Sequence, residues 1–306
     1  MNSTSPHFPV RVGAVLTLVL AGFLAYAWLF APTGVSAQQA PNWTEQEKPI
    51  AAQIKGLRAL PDDVRAQTTK QLALEIRELP ASPGKLRLAY GLASRATEGD
   101  FGHDTLQEVA TTLAAALQQQ PPPDENGQPA PAYGELAQLV RYEHVQVALD
   151  APQFAAAMAK LESDDKRRQE ANFTLTDLDG KTWTLKELRG EVVLVNFWAT
   201  WCPPCNKEMP DLEALYKEFR NQRFVILAIS DEDADKVRPF IAERQISYPI
   251  LLDPGRKVFD LFQVEGIPKS FVYDRDGKLV AQSIDMRTQK QFREMLAEAG
   301  LKSWTK

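Results

Sequence analysis

The sequence predicts an α/β domain over residues 168–306, with a central mixed sheet flanked by helices and an N-terminal β-hairpin. It places an all-α domain over 40–165 before this, and a hydrophobic helix within 1–37. Three observations carry the division. Apolar strand-like runs alternate with helical periodicity after Asn172, only helical periodicity occurs between 40 and 165, and the N-terminal region holds an uncharged stretch long enough to cross a bilayer. The chain of 306 residues is 44% hydrophobic with a net charge of −5. This fits a globular protein of about two domains, argues against nucleic acid and supplies no basic patch for a membrane surface.

Val12–Phe30 is nineteen residues without a charge. As a helix it would rise about 28 Å, close to a bilayer core. Arg11 precedes it and no basic residue follows before Lys48, which puts the N-terminus inside and the remainder outside the cytoplasm. Residues 12–30 are therefore read as a membrane anchor. The competing reading is a signal peptide cleaved after Ala37, since Val35-Ser36-Ala37 fits the small-x-small pattern, although the run exceeds the usual core of about 7–15 residues. Both readings export the bulk of the chain to a periplasmic or other extracytoplasmic space.

In residues 40–165, Pro61 suits the first turn of a helix with Val64, Leu72, Ile76 and Leu79 on one face. Thr105 and Glu108 have capping-box spacing before Leu106, Val109, Leu113 and Leu117. A third helix carries Tyr133, Leu136, Val140 and Val147, with His144 on the same face as a core or boundary residue. Weaker helices fall near 44–59, 84–97 and 151–168. Gln118–Pro131 reads as an exposed Pro-rich loop, and Ser163–Glu170 as a solvated helix end and domain boundary. The role of this domain is open: docking substrates, dimerising, or spacing the α/β domain from the membrane.

The α/β pattern begins with a hairpin, Asn172–Thr176 and Thr182–Leu185 around a turn. Strand 192–198, a helix from 202, strand Phe224–Ser230, a helix near 233–245 and strand Tyr248–Asp253 follow. A short helix at 256–262, strands Ser270–Tyr273 and Leu279–Ser283 and a last helix at 288–299 close the pattern. Alternation of this kind gives a central sheet covered on both faces.

At the junction of the first long strand and its helix stands Trp201-Cys202-Pro203-Pro204-Cys205. Free N–H groups and the dipole at a helix start favour a thiolate, which is the reactive form of cysteine. Cysteines three apart at such a start share a face and can close a disulfide. Half a zinc site is the other use of this spacing. The chain has no other cysteine, and its histidines, His7, His103 and His144, lack ligand spacing, so no metal or other cofactor is implied. An N-cap sulfur accepts from the N–H groups two and three residues on. Pro204 has none, no basic residue stands between the cysteines, and a less stabilised thiolate means a less oxidising pair. Local donors thus point to a reductant.

NFWATWCPPCNKEMP, with GIPKSFVYDRDGKLV about sixty residues on, resembles the TlpA-like (ResA-like) branch of the thioredoxin superfamily, exported thiol–disulfide oxidoreductases. The resemblance covers about Glu170–Lys306 and implies a thioredoxin-like fold. It implies that Cys202 attacks a substrate disulfide and Cys205 resolves the mixed disulfide. It matches Gly266-Ile267-Pro268 to a cis-proline loop, where the backbone of Ile267 pairs with an extended substrate, and Pro210 to a helix kink. Glu208, one turn past Cys205, is the candidate proton acceptor, because Asn196 occupies the strand position where thioredoxins proper carry an acidic residue. Trp201 is placed beside the site as a substrate contact with Ile267 and Pro268. Trp198, Phe173, Trp183 and Phe271 are read as packing.

The expected activity is protein-disulfide reduction on disulfide-containing exported proteins, fed by a membrane thiol electron donor. The resemblance suggests apocytochrome c or copper-site cysteines as clients. Two other readings are a helical scaffold or partner-binding protein with a redox-switch domain, and a thiol peroxidase. The latter lacks a lone peroxidatic cysteine.

Overall fold

The computed structural model describes residues 42–302. The anchor expected at 12–30 and the cleavage site expected at Ala37 lie outside the described residues. Among those residues, no helix is long and apolar enough to cross a membrane.

Six helices come first: α1 (Glu47–Gly56), α2 (Asp62–Glu78), α3 (Pro83–Ala96), α4 (His103–Gln119), α5 (Pro131–Tyr142) and α6 (Pro152–Glu170). Their starts follow local chemistry. Ser82 caps α3 by accepting from Lys85 N at 2.9 Å, and proline stands in the first turn of α3, α5 and α6. Leu72, Ile76, Leu92, Leu113, Leu117 and Leu136 bury into one apolar cluster.

Four local expectations are corrected. Helix α4 starts at His103, with Gly102 as its N-cap, so Thr105 is buried within it and forms no capping box. Glu108 instead pairs with Arg77 of α2. The buried stripe of α2 runs Arg65, Thr69, Leu72, Ile76, which leaves Val64 on its flank, 41% exposed. Helix α5 ends at Tyr142 and the chain turns at His144 with φ 56°, so the expected face does not continue and His144 is exposed. Ser163–Glu170 is helical as expected, yet Asp164 and Arg168 are buried rather than solvated. Asp164 pairs with Lys160 and Arg167, while Arg168 donates to the carbonyl of Phe262 at 3.0 Å and to Gln282.

The rest of the chain is α/β. Strands β1 (Thr174–Thr176) and β2 (Thr182–Thr184) form the antiparallel hairpin. Then come β3 (Val192–Phe197), α7 (Pro203–Phe219), β4 (Phe224–Ser230), α8 (Ala234–Arg244), β5 (Ile250–Leu252), α9 (Lys257–Phe262), β6 (Lys269–Tyr273), β7 (Leu279–Gln282) and α10 (Gln289–Glu298). The sheet order is β5-β4-β3-β6-β7, with β3, β4 and β5 parallel and β6 and β7 antiparallel to their neighbours. This is a thioredoxin-like mixed sheet.

Side-chain alternation along β3 divides the core. Val192 and Leu194 pack with Leu212 and Leu215 of α7 and Phe292 of α10. Val193, Val195 and Phe197 pack on the other face with Phe259 and Phe262 of α9 and Phe173 before the hairpin. Phe262 is fully buried, its ring 5.3 Å from Phe197, 5.2 Å from Phe271 and 6.0 Å from Phe173. Phe262→Ala should cost about 3–5 kcal/mol, read from the urea midpoint at an unchanged m-value.

Candidate active site

Strand β3 ends in the middle of the sheet, and the chain continues through Trp198–Trp201 to Cys202, the N-cap of α7. The turn between them is pinned at Thr200. Its N–H and its hydroxyl both donate to the carboxylate of Glu232, at 2.5 and 2.9 Å, and its carbonyl accepts from Asn206 Nδ2 at 3.1 Å.

Cys202 and Cys205 are joined in a disulfide. Cys202 Sγ accepts the N–H of Cys205 at 3.3 Å, the bond left to an N-cap sulfur once Pro204 removes the other donor. The carbonyl of Ile267 lies 3.7 Å from the same sulfur. The Ile267–Pro268 bond is cis. Cys202 is 2% exposed and Cys205 wholly buried. Ile267 packs against the cluster that holds both cysteines, and Trp198 lies in the same cluster. Trp201 stands 68% exposed beside the disulfide, and Trp198 is core.

Glu208 lies one turn beyond Cys205 on the same helical face. It is 2% exposed. One carboxylate oxygen accepts from Asn196 Nδ2 at 2.9 Å and the other from the backbone N–H of Arg287 at 3.2 Å. The second N–H of Asn196 goes to Ser270 Oγ at 3.0 Å. Asn196 is directed here by strand alternation, since it shares the face of Leu194, against α7. Burial pushes the Glu208 carboxyl up to about 8, with Asp211 adding to the rise. The Arg287 N–H, the Asn196 bond and the Arg287 guanidinium oppose it.

The fold therefore gathers every predicted site residue, Cys202, Cys205, Glu208, Trp201, Ile267 and Pro268, around one end of β3. Arg287, Thr200 and Glu232 escape sequence reasoning. The contact from Arg287 to Glu208 is made by a backbone N–H, which every residue but proline offers, so no side-chain motif marks it.

Residues 167–282 match the AhpC/TSA family. The chain is 38% identical over 125 residues to the thiol-disulfide oxidoreductase ResA of Bacillus anthracis, covering 40% of this chain and 72% of that one. It is 36% identical over 128 residues to ResA of Bacillus subtilis, covering 42% and 72%. The chain belongs to the ResA family of thiol–disulfide oxidoreductases. Among solved structures, a thiol:disulfide interchange protein of the thioredoxin family from Chlorobium tepidum is similar over 42% of this chain and 92% of its own, at 29% identity and a TM-score of 0.39. The ResA similarity covers only the C-terminal half, and the helical part stands outside it.

The Glu208 carboxyl also makes stability depend on pH. Its folded pKa, about 8, lies above its usual 4.5, so the folded protein keeps a proton that the unfolded chain releases. The resulting stabilisation is fully present below 4.5 and is lost as pH rises through about 8. Glu208→Gln is neutral throughout. In thermal melts of the oxidised protein, the difference between wild type and Glu208→Gln should fall steadily over this window and level off above it.

Proposed function

We propose that this ResA-family protein is an extracytoplasmic disulfide reductase, anchored by residues 12–30, whose chemistry is carried by Cys202, Cys205 and Glu208. The observation that carries the reading is the dithiol pair closed at a helix N-cap, with one buried carboxyl a single turn away. In the working direction the Cys202 thiolate attacks a client disulfide. The bond Cys202–S–S–client forms, and one client thiolate leaves. The Cys205 thiol gives its proton to the Glu208 carboxylate, its sulfur attacks Cys202 Sγ, and the second client thiolate leaves. Two electrons have passed to the client, and Cys202–Cys205 is again a disulfide. An external dithiol, a membrane thiol donor, must reduce it.

What surrounds Cys202 supports this direction. Its sulfur has one N–H donor, the Ile267 carbonyl is placed to accept from the thiol form, and the carboxylate of Glu232 sits two residues upstream at Thr200. All three disfavour the thiolate relative to a site with more donors or a neighbouring cation, and so favour electron donation. The extended client pairs with the backbone at Ile267, between Pro268 and the exposed Trp201. Disulfide-bonded exported proteins are the clients, with apocytochrome c the candidate that the family resemblance suggests. A peroxidase reading needs a lone peroxidatic cysteine, and both cysteines here form one Cys-x-x-Cys.

Two measurements test this. Equilibrated with glutathione or dithiothreitol, the Cys202/Cys205 pair should show a potential near the thioredoxin value of about −270 mV, and a value near about −120 mV would make it an oxidant. In single-turnover reduction of a fluorescence-quenched disulfide peptide, the rate of the resolving step should rise with pH through an inflection near 8. Glu208→Gln should lose that inflection and slow resolution by about 10²-fold or more. An unchanged profile removes Glu208 from the mechanism.

A further inference from the structure

The backbone N–H of Arg287 holds one Glu208 oxygen at 3.2 Å, and the charge of its guanidinium favours the ionised carboxylate. That guanidinium is in turn paired, through Nη2, with Glu143 at the C-terminal end of α5 in the helical region. The pair is buried from both sides, with side-chain exposures of 5% for Arg287 and 10% for Glu143. The Nε–H of Arg287 has no hydrogen-bond partner among the described residues, and Glu143 is the carboxylate that its guanidinium pairs with. Both side chains lie on the wall of a cleft of about 640 Å³, and charges this little exposed are screened less than surface ones.

We propose that Glu143 is a positioning residue for Glu208: by neutralising and orienting Arg287, the helical region sets how readily the buried carboxyl accepts and releases the Cys205 proton. The inference rests on the role given to Glu208 above. It gives the helical region, which the ResA relatives' similarity does not cover, a part in the chemistry of the dithiol. The other groups facing the two sites are accounted for. Glu208 meets Asn196 from β3, Asp211 from its own helix and the field of Tyr248 ahead of β5. Lys269 of β6 also faces Arg287: burial and the Arg168 and Arg287 cations push it down to about 8, with Asp285 and Glu135 opposing, so the inflection is assigned to Glu208 only by its loss in Glu208→Gln. Arg141 is paired with Asp165 and Lys290 with Asp100.

The two partners make opposite demands, which separates this coupling from a purely structural ion pair. Glu143→Gln leaves the Arg287 cation unneutralised beside Glu208 and should move the inflection of the resolving step down by roughly one pH unit. Arg287→Gln keeps the backbone N–H, removes the cation and leaves the Glu143 charge behind. It should move the inflection up by a similar amount. Glu143→Asp, which restores the charge, should return most of the wild-type profile.

The measurement is the single-turnover pH–rate profile of the full-length protein with the same quenched disulfide peptide, run beside thermal melts. Opposite shifts establish the coupling. If both variants melt earlier but keep the wild-type inflection, or shift it in the same direction, the pair is structural and the proposal fails. An inflection that survives in Glu208→Gln overturns the reading of Glu208 and this proposal together. Should Glu143→Gln not fold, the double variant Glu143→Gln/Arg287→Gln, which buries no charge, takes its place. Its inflection should lie above that of the wild type, and one at the wild-type position overturns the coupling.

Discussion

Glu208 is a carboxyl group held where water does not reach it, and much of the site is arranged around that placement. A buried carboxyl with no partners would stay protonated far beyond neutrality, and one with many donors would stay ionised. Glu208 has two, the Asn196 amide and the backbone N–H of residue 287, with a cation at a distance. These offset part of the burial, so the group changes state in the range where thiols also titrate. Each support comes from a different element. Asn196 is on the central strand, Ser270 fixes that amide from the adjacent antiparallel strand, and Arg287 lies at the entrance to α10. The proton site exists only when sheet and helices are assembled.

The same elements present the sulfurs. Strand β3 stops in the middle of the sheet, and its last residues pair with β4 on one side and β6 on the other. The turn that follows cannot drift, because Thr200 is bound through its N–H, hydroxyl and carbonyl at once. Cys202 is therefore delivered to the helix start as its cap. There the proline at 204 limits how much the helix end does for a thiolate, and the Ile267 carbonyl faces the sulfur from the opposite side. The turn places the sulfur at the helix start, where it meets one N–H donor.

The α/β part was legible because its signals are local. Apolar runs, helical spacing, a Cys-x-x-Cys at a strand–helix junction and a Gly-Ile-Pro before the next strand each occupy a few consecutive residues. Asn196 and Glu208 were legible as a pair because strand alternation and helix spacing aim them at one another. The helical part was legible in its elements but not in its surfaces. Spacing put Val64 and His144 on apolar faces, while docking and a left-handed turn put them in solvent. The charges of Ser163–Glu170 look like a solvated face, because pairing across a docked surface leaves no trace in periodicity. Arg168 is buried through a carbonyl of α9 and a side chain at the end of β7.

That docking determines which part of the catalytic domain is free to move. The segment from Ser283 to Gln291 follows β7, and Ser283 N–H donates to Ser270 O, so it runs beside the Pro268 loop. Nearly every second residue in it is tied to the helical region. Ile284 buries in the helical core, Asp285 accepts from Thr97 at 2.6 Å, Arg287 pairs with Glu143, and Lys290 pairs with Asp100. To release this segment would expose Ile284 and leave the little-exposed carboxylate of Glu143 without its arginine, each a cost of about 1–3 kcal/mol. One flank of the dithiol is thereby fixed to a second domain, whereas Trp201 stays open to solvent. Under the proposed function, a client docking at the disulfide would meet Pro268 and the tied segment on one flank and the exposed Trp201 on the other.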